Sequence, residues 1–284
     1  MASWTPSIRQ KNRWIDLHLH THQSDGTFSP EEVVRRARAR GLAAISVTDH
    51  DTLAGIESAR KAAGSDLEIL SGVEITATFR DRELHILGYG FEEDAADLAA
   101  YLARARARRQ SRMQAMIDRL RERGIAVTLE EVQAAAGAGA SIGRPHLAEV
   151  LVQRKVVRSL REAFQRYLGD NAPCFVKQGA LAVSEAVQLI RWHGGIAVLA
   201  HPHRIVEDAW IPDLVEQGVQ GIEAYHSDLS AEVIEHYRGM ADRLGVLVTG
   251  GSDCHGLRKA GGHLIGTVPV PYEVLERLKS AIAG

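Results

Sequence analysis

Asp16-Leu17-His18-Leu19-His20, followed by Ser24-Asp25-Gly26 and later by Thr48-Asp49-His50-Asp51, is the stretch from which the rest of the chain can be read. On an extended strand, side chains two apart point to the same face. His18 and His20 therefore converge on one point, while Ile15, Leu17 and Leu19 pack behind them. Two imidazoles, with a carboxylate five residues on and a further histidine beyond, make a site for a divalent metal ion. A polar strand face with two ordinary histidines is the alternative, and the surrounding sequence decides between them.

Around this stretch, short apolar runs alternate with amphipathic helices. The strand at 14–20 leads through a polar loop to a helix opened by Ser29-Pro30-Glu31-Glu32, with a Ser cap and Pro at the first helical position. Ala43–Thr48 reads as a strand, with a helix near 52–63. Leu67–Val73 and Leu84–Tyr89 are further apolar runs. Residues from about 93 to 175 read as helical throughout: one long helix from about 94 to 123, then shorter ones near 129–136, 145–153 and 159–168. The alternation resumes with helices at 184–193, 210–217, 230–244 and 272–282, interleaved with strands at Ile196–Ala200, Val219–Tyr225 and Val246–Gly250. Strands alternating with helices imply a mostly parallel sheet, and seven or so of them suggest a barrel. The chain is thus expected to be an α/β barrel formed by 13–92 and 176–284, interrupted by a helical insertion over 93–175.

The phase of the polar residues supports this reading. Ala-Ile-Ser-Val-Thr ends in Asp49-His50, and Leu-Ser-Gly-Val ends in Glu74. Ile-Ala-Val-Leu-Ala ends in His201-Pro202-His203, and Val-Leu-Val-Thr-Gly-Gly ends in Ser252-Asp253-Cys254-His255. In a barrel of parallel strands the C-terminal ends meet at one face, where active sites sit. Unrelated core histidines have no reason to keep that phase four times. A carboxylate such as Glu74 can bridge two cations, and a hydroxide held between two metals is a nucleophile at neutral pH. The metals also neutralise the non-bridging oxygens of a phosphoryl group. Mixed nitrogen and oxygen ligands suit manganese, iron or zinc.

These blocks resemble the PHP (polymerase and histidinol phosphatase) family of metal-dependent phosphoesterases. HxH at 18–20, SDG at 24–26, TDHD at 48–51, GVE at 72–74, HILGYG at 85–90, AHP at 199–202 and GSDCH at 251–255 carry the resemblance. They bracket nearly the whole chain outside the insertion. The resemblance implies a distorted seven-stranded β/α barrel and two to three divalent ions. One ion would take His18, His20, Glu74 and Asp253. A second would share Glu74 and add His85 and His201, and a third would take Asp25, His50 and His255. All nine positions hold a competent ligand.

Other residues are candidates for handling substrate. Gly143-Arg144-Pro145-His146 opens a helix inside the insertion, where Arg144 and unpaired backbone N–H groups suit an anion. Similar GRPH insertions mark a branch of the family acting on nucleoside 3′,5′-bisphosphates and short RNA 5′ ends. By that resemblance Arg144 and Arg204, assisted by Ser141, hold a 5′-phosphate while the metals and Asp253 act on the 3′-phosphate. His203 departs from the glycine common at its position. His226 ends a strand, as either a proton donor to the leaving oxygen or a rim histidine. His22, His146, His193, His236, His263 and Cys254 read as structural. The arginines between Arg104 and Arg123 read as a solvated helix face, with a basic wall for a short oligonucleotide as the alternative.

Composition bounds the remaining questions. Hydrophobic residues make up 45% and charged residues 25% of the 284, an ordinary globular balance. A formal charge of −2 excludes a global field toward nucleic acid or membrane, so contact with a polyanion must be local. Two cysteines do not make a disulfide framework. With no apolar signal core through Arg13 and no membrane-length run, a cytoplasmic protein is expected. The competing readings are hydrolysis of histidinol phosphate or another small phosphate ester, an amidohydrolase, and a binding module with an inert site. An amidohydrolase commonly needs a bridging Lys at a strand end, which is absent here, and has no counterpart of SDG or TDHD.

Overall fold

The computed structural model describes residues 13–177, 181–205, 207–258 and 263–284. Its strands are β1 (Trp14–Leu19), β2 (Ala44–Val47), β3 (Glu68–Phe79), β4 (Arg82–Tyr89), β5 (Leu181–Ala182), β6 (Ile196–Leu199), β7 (Gly221–His226), β8 (Leu247–Gly251) and β9 (Val270–Pro271). Helices α1 (Pro30–Ala39) and α2 (Ile56–Ala63) follow β1 and β2. Then come α3 (Ala96–Arg121), α4 (Leu129–Ala136), α5 (Arg144–Gln153) and α6 (Leu160–Ala163). The second block carries α7 (Val183–Trp192), α8 (Pro202–Ile205), α9 (Ile211–Glu216), α10 (Ala231–Leu244) and α11 (Tyr272–Ala283).

The strand order is β8-β7-β6-β4-β3-β2-β1-β9, with β5 beside β3. The ends of this array approach one another, since Leu19 bridges Cys254 and the His20 N–H donates to the Cys254 carbonyl at 3.1 Å. A nearly closed barrel of seven strands results, as the alternation of the sequence implied. Helices cover its outer face. Val183, Ile190, Tyr237 and Ala241 pack on one side, Val33, Val34 and Ala59 on another, and Leu275 and Leu278 of α11 pack against Ile15 and Val198.

Two details depart from expectation. β3 does not stop at Glu74 but continues to Phe79, and β4 runs antiparallel to both β3 and β6. The reason is local. Arg80 and Asp81 both take left-handed conformations (φ 46° and 60°), which make a two-residue turn, and so short a turn joins only antiparallel strands. Reversal of β4 brings its N-terminal half to the barrel end where the other strands finish. His85, opposite Thr76 and on the same face as Glu74, arrives there by that route.

The helices from α3 to α6 carry a core of their own, in which Met116, Ile117, Leu147 and Leu151 are fully buried. The first turns of α3 belong instead to the barrel core through Leu98, Tyr101 and Leu102. Thr128 and Glu131 close a reciprocal capping box at the start of α4. The arginines of α3 are not uniformly a solvated face. Arg109 is 7% exposed and bonded to Asp51 and Thr76, and Arg112 reaches Glu83 and the Val176 carbonyl. Among the described residues no helix is long and apolar enough to cross a membrane, and Cys174 and Cys254 are separate, buried thiols.

Candidate metal centre

Alternation along β1 sends Asp16, His18 and His20 to one side. Asp16 accepts hydrogen bonds from the Ser252 and Gly266 amides at 2.8 and 3.0 Å, fastening β1 to the segment after β8. The approach is so close that a Cβ on Gly251 would lie 2.4 Å from the His18 nitrogen, which excludes any side chain there. His18 and His20 consequently present their Nε2 atoms 3.2 Å apart, aimed at Oε2 of Glu74 at 3.3 and 3.0 Å. Asp253 Oδ1 lies 3.5 and 3.4 Å from the same nitrogens.

Glu74 occupies the middle of the cluster and is 1% exposed. Its Oε1 lies 2.7 Å from His85 Nδ1 and 2.9 Å from His201 Nε2, while Oε2 also meets His50 Nδ1 at 3.2 Å. Burial works to raise its pKa, yet the imidazoles of His50, His85 and His18 hold the carboxyl well below the usual range. On the far side of His50, Asp25 stands 3.9 Å from His50 Nε2 and 3.2 Å from His255 Nε2. The nine residues expected as ligands therefore lie in one continuous cluster.

The donors suit divalent cations. His18 Nδ1 stands 2.8 Å from Glu223 Oε1, so its proton belongs on Nδ1 and its Nε2 carries a lone pair. That lone pair faces His20 Nε2 and a carboxylate oxygen, an arrangement of mutually repelling donors that a cation between them resolves. Three groups of donor atoms lie within 4.8 Å of one another: His18, His20 and Glu74; His50, Glu74 and His85; and His20, Asp25, His50 and His255. These groups overlap at His20, His50 and Glu74. His203, His226 and Asp228 form a further group. There, however, His226 Nδ1 accepts the Asp228 amide at 3.1 Å, which puts the proton on Nε2 and removes it as a ligand atom.

Two carboxylates that hold the cluster were not singled out from sequence. Glu223, fully buried in β7, accepts from the His201 amide at 2.7 Å as well as facing His18. The signal was a lone acid inside the apolar run Ile222-Glu223-Ala224-Tyr225. Asp49 accepts from the Thr21 amide and hydroxyl and from Ser24 Oγ at 2.7, 2.6 and 2.5 Å, pinning the loop that presents Asp25. Strain is concentrated here too: His201 and Asp253 both have positive φ, 25° and 49°.

The cluster floors a cavity of about 550 Å³ whose walls include Arg82, Arg144, Asn171, Phe175, Lys177 and Arg204. The insertion reaches the same end of the barrel, since the Ser141 amide donates to the Gln23 carbonyl at 2.8 Å and Gly143 packs beside Asp25. Arg144 bonds Asp170 Oδ1 at 2.6 Å and the Leu168 carbonyl at 3.3 Å, both through Nη1. Ser141 is buried with its hydroxyl unpartnered among the described residues, and His146 Nδ1 accepts the Gly143 amide at the start of α5. Arg204 is held by Asp228 and by Asp253 Oδ2 at 2.6 Å. His226 is 1% exposed, off the cavity wall, with Nε2 3.5 Å from Asp253 Oδ2. His203 lies 4.8 Å from the His226 ring.

The family profile of the PHP domain matches residues 16–179. A 3′,5′-nucleoside bisphosphate phosphatase of Chromobacterium violaceum is 33% identical over 94% of this chain and 97% of its own length. A 5′-3′ exoribonuclease of Haemophilus influenzae is 37% identical over 70% of this chain and 73% of its own. A structure from Bifidobacterium adolescentis, provisionally assigned as a metal-dependent phosphoesterase, superposes with a TM-score of 0.86 at 30% identity, covering 95% of this chain and 96% of that one.

Proposed function

This chain belongs to the PHP domain family of metal-dependent phosphoesterases, and we propose that within it the protein removes the 3′-phosphate of nucleoside 3′,5′-bisphosphates or cleaves the equivalent bond at the 5′ end of short RNA. The two substrates are chemically one: a 5′-phosphorylated nucleotide whose 3′ phosphoryl group is transferred to water. The observation that carries the reading is the joint presence, around one cavity, of six members of the cluster, among them Glu74 and Asp253, and of Arg144 from the insertion.

In this proposal His18, His20, Asp25, His50, Glu74, His85, His201, Asp253 and His255 hold two to three divalent ions. Such ions, manganese, iron or zinc by ligand type, supply neutralisation of the phosphoryl oxygens and lower the pKa of water to about 7. The chain's own residues do the rest. Glu223 and Asp49 fix the orientation of the imidazoles and of the Asp25 loop. Among the described residues the bonds of Arg144 to Asp170 and Leu168 both use Nη1, which leaves its Nε and Nη2 edge for a terminal phosphate. Arg204 is the second phosphate contact, exchanging its carboxylate partners for substrate. His226, its Nδ1 taken up by the Asp228 amide, turns its Nε2 proton toward Asp253 and orients that carboxylate rather than donating the proton itself. Residues 93–175 serve as a cap over the barrel mouth.

The test is a substrate screen of protein purified with manganese and without chelator. Nucleoside 3′,5′-bisphosphates and short 5′-phosphorylated RNA should be turned over far better than 3′-mononucleotides, a cyclic phosphodiester, histidinol phosphate or p-nitrophenyl phosphate. Equal rates on p-nitrophenyl phosphate would replace the nucleotide reading with a nonspecific phosphatase.

A further inference from the structure

The turn carrying His50 is held by the insertion rather than by the barrel alone. Asp51 is fully buried and has a φ of 53°, a left-handed conformation that a non-glycine residue adopts at a cost. Its amide donates to the Glu74 carbonyl at 3.0 Å, and the Glu74 amide returns a bond to Asp49 at 3.3 Å, so the turn is laced to the strand bearing the central carboxylate. Three contacts then fasten it from α3. Arg109 Nε donates to Asp51 Oδ2 at 2.5 Å, Arg109 Nη2 donates to Thr76 Oγ1 at 2.7 Å, and Arg106 Nη1 donates to the Asp51 carbonyl at 2.9 Å. One guanidinium thus ties the residue after His50 to the residue two beyond Glu74. His50 is the side chain most sensitive to that turn, because its two nitrogens face different carboxylates, Glu74 at 3.2 Å and Asp25 at 3.9 Å.

We infer that Arg109 is a positioning residue: by clamping Asp51 and Thr76 it aims His50 at the junction between the two donor groups, so that docking of the helical insertion sets the affinity for the ion shared by His50, Asp25 and His255. The inference rests on the ligand assignment proposed above. A rotation of the 50–51 turn would swing the His50 nitrogens while leaving His18, His20 and Asp253 in place, since Asp16 on β1 and Glu223 on β7 hold those segments independently of the turn. Loss of the clamp should therefore affect one ion and spare the others.

The measurement is metal content by elemental analysis, with titration of manganese into the metal-depleted full chain, for wild type, Arg109→Lys, Arg109→Gln and the paired Arg109→Gln/Asp51→Asn. Lys keeps the buried charge but cannot reach Asp51 and Thr76 together, and the paired variant avoids leaving a lone buried carboxylate. Arg112→Gln serves as control, because it breaks another contact between insertion and barrel, to Glu83 and Val176, away from His50. Each Arg109 variant should bind the ion shared by His50, Asp25 and His255 about tenfold to a hundredfold less tightly, the usual effect of removing a group that orients a ligand, with the remaining ions unchanged and cooperative melting retained. Arg112→Gln should lower the melting temperature without changing the stoichiometry. The inference is overturned if Arg109→Lys and the paired variant bind every ion as wild type does. It is equally overturned if all ions weaken together, or if Arg112→Gln loses the same single ion. A wild-type chain that binds no manganese would instead sink the ligand assignment itself.

Discussion

Glu74 and Glu223 are both buried carboxylates beside His18, yet they stand on opposite sides of its ring and have different consequences when changed. Glu74 offers one oxygen to His85 and His201 and the other to His18, His20 and His50, so Glu74→Ala should remove at least two ions at once. Glu223→Gln keeps the shape and can still accept the His201 amide, but weakens the bond that holds the His18 proton on Nδ1, and should cost about tenfold to a hundredfold in affinity chiefly at the His18–His20 position. Elemental analysis of the two variants distinguishes them; equal losses would refute separate bridging and orienting roles. Arg144 is tested by varying protein and substrate together. Arg144→Ala should lower kcat/KM by about tenfold to a hundredfold on a 5′-phosphorylated substrate, or 1.5–3 kcal/mol for a charge-assisted pair, and almost nothing on the 5′-dephosphorylated one. Equal losses on both would mean that Arg144 supports the insertion and not the phosphate. At this scale most of the cluster residues were legible because they sit at strand ends or alternate along a strand, a local pattern, whereas Asp25 lies in the loop after β1 and His85 inside β4, where the family resemblance supplied its role. Glu223 was not, because its partner His18 is 205 residues away.

Among elements, the β3–β4 hairpin and the insertion carry most of what the site adds to the barrel. The continuation of β3 past Glu74 escaped the sequence reading because Ile75-Thr76-Ala77-Thr78-Phe79 alternates small polar and apolar residues without an acid or glycine to mark an end. The reversed strand then delivers His85 from mid-strand, outside the strand-end phase that identified the others. The insertion was visible as a helical stretch, and its packing suggests a specific order of failure. Met116 is fully buried in the insertion's own core, so Met116→Ala should cost about 2–5 kcal/mol. Thermal melts should show that loss, and KM for a 5′-phosphorylated substrate should rise before the ions outside the His50, Asp25 and His255 group are lost, because Arg144 belongs to the insertion whereas the insertion touches the cluster only beside His50 and Asp25. Loss of metal in step with the first loss of structure would contradict that order.

For the molecule as a whole, the clustered imidazoles and carboxylates are a source of instability that bound cations offset. Removing metal with a chelator should therefore lower the melting temperature, and manganese should restore it. An ion present at a hundred times its dissociation constant contributes about 2.7 kcal/mol by mass action. A melting temperature indifferent to both treatments would mean that no ion binds the folded chain. Barrel architecture, the interrupting helices and the strand-end members of the cluster could be read from the chain itself, because hydrophobic period, helix caps and the phase of polar residues along a strand are all short-range properties. The grouping of seven of the nine cluster residues into three overlapping donor groups depends instead on where rings from separate strands come to rest. So does the burial of Arg109 against Asp51, 58 residues earlier, which turned part of an apparent surface arginine run into a strut behind the site. A one-dimensional pattern specifies which side chains face the barrel mouth; only closure of the sheet and docking of the insertion decide which of them touch.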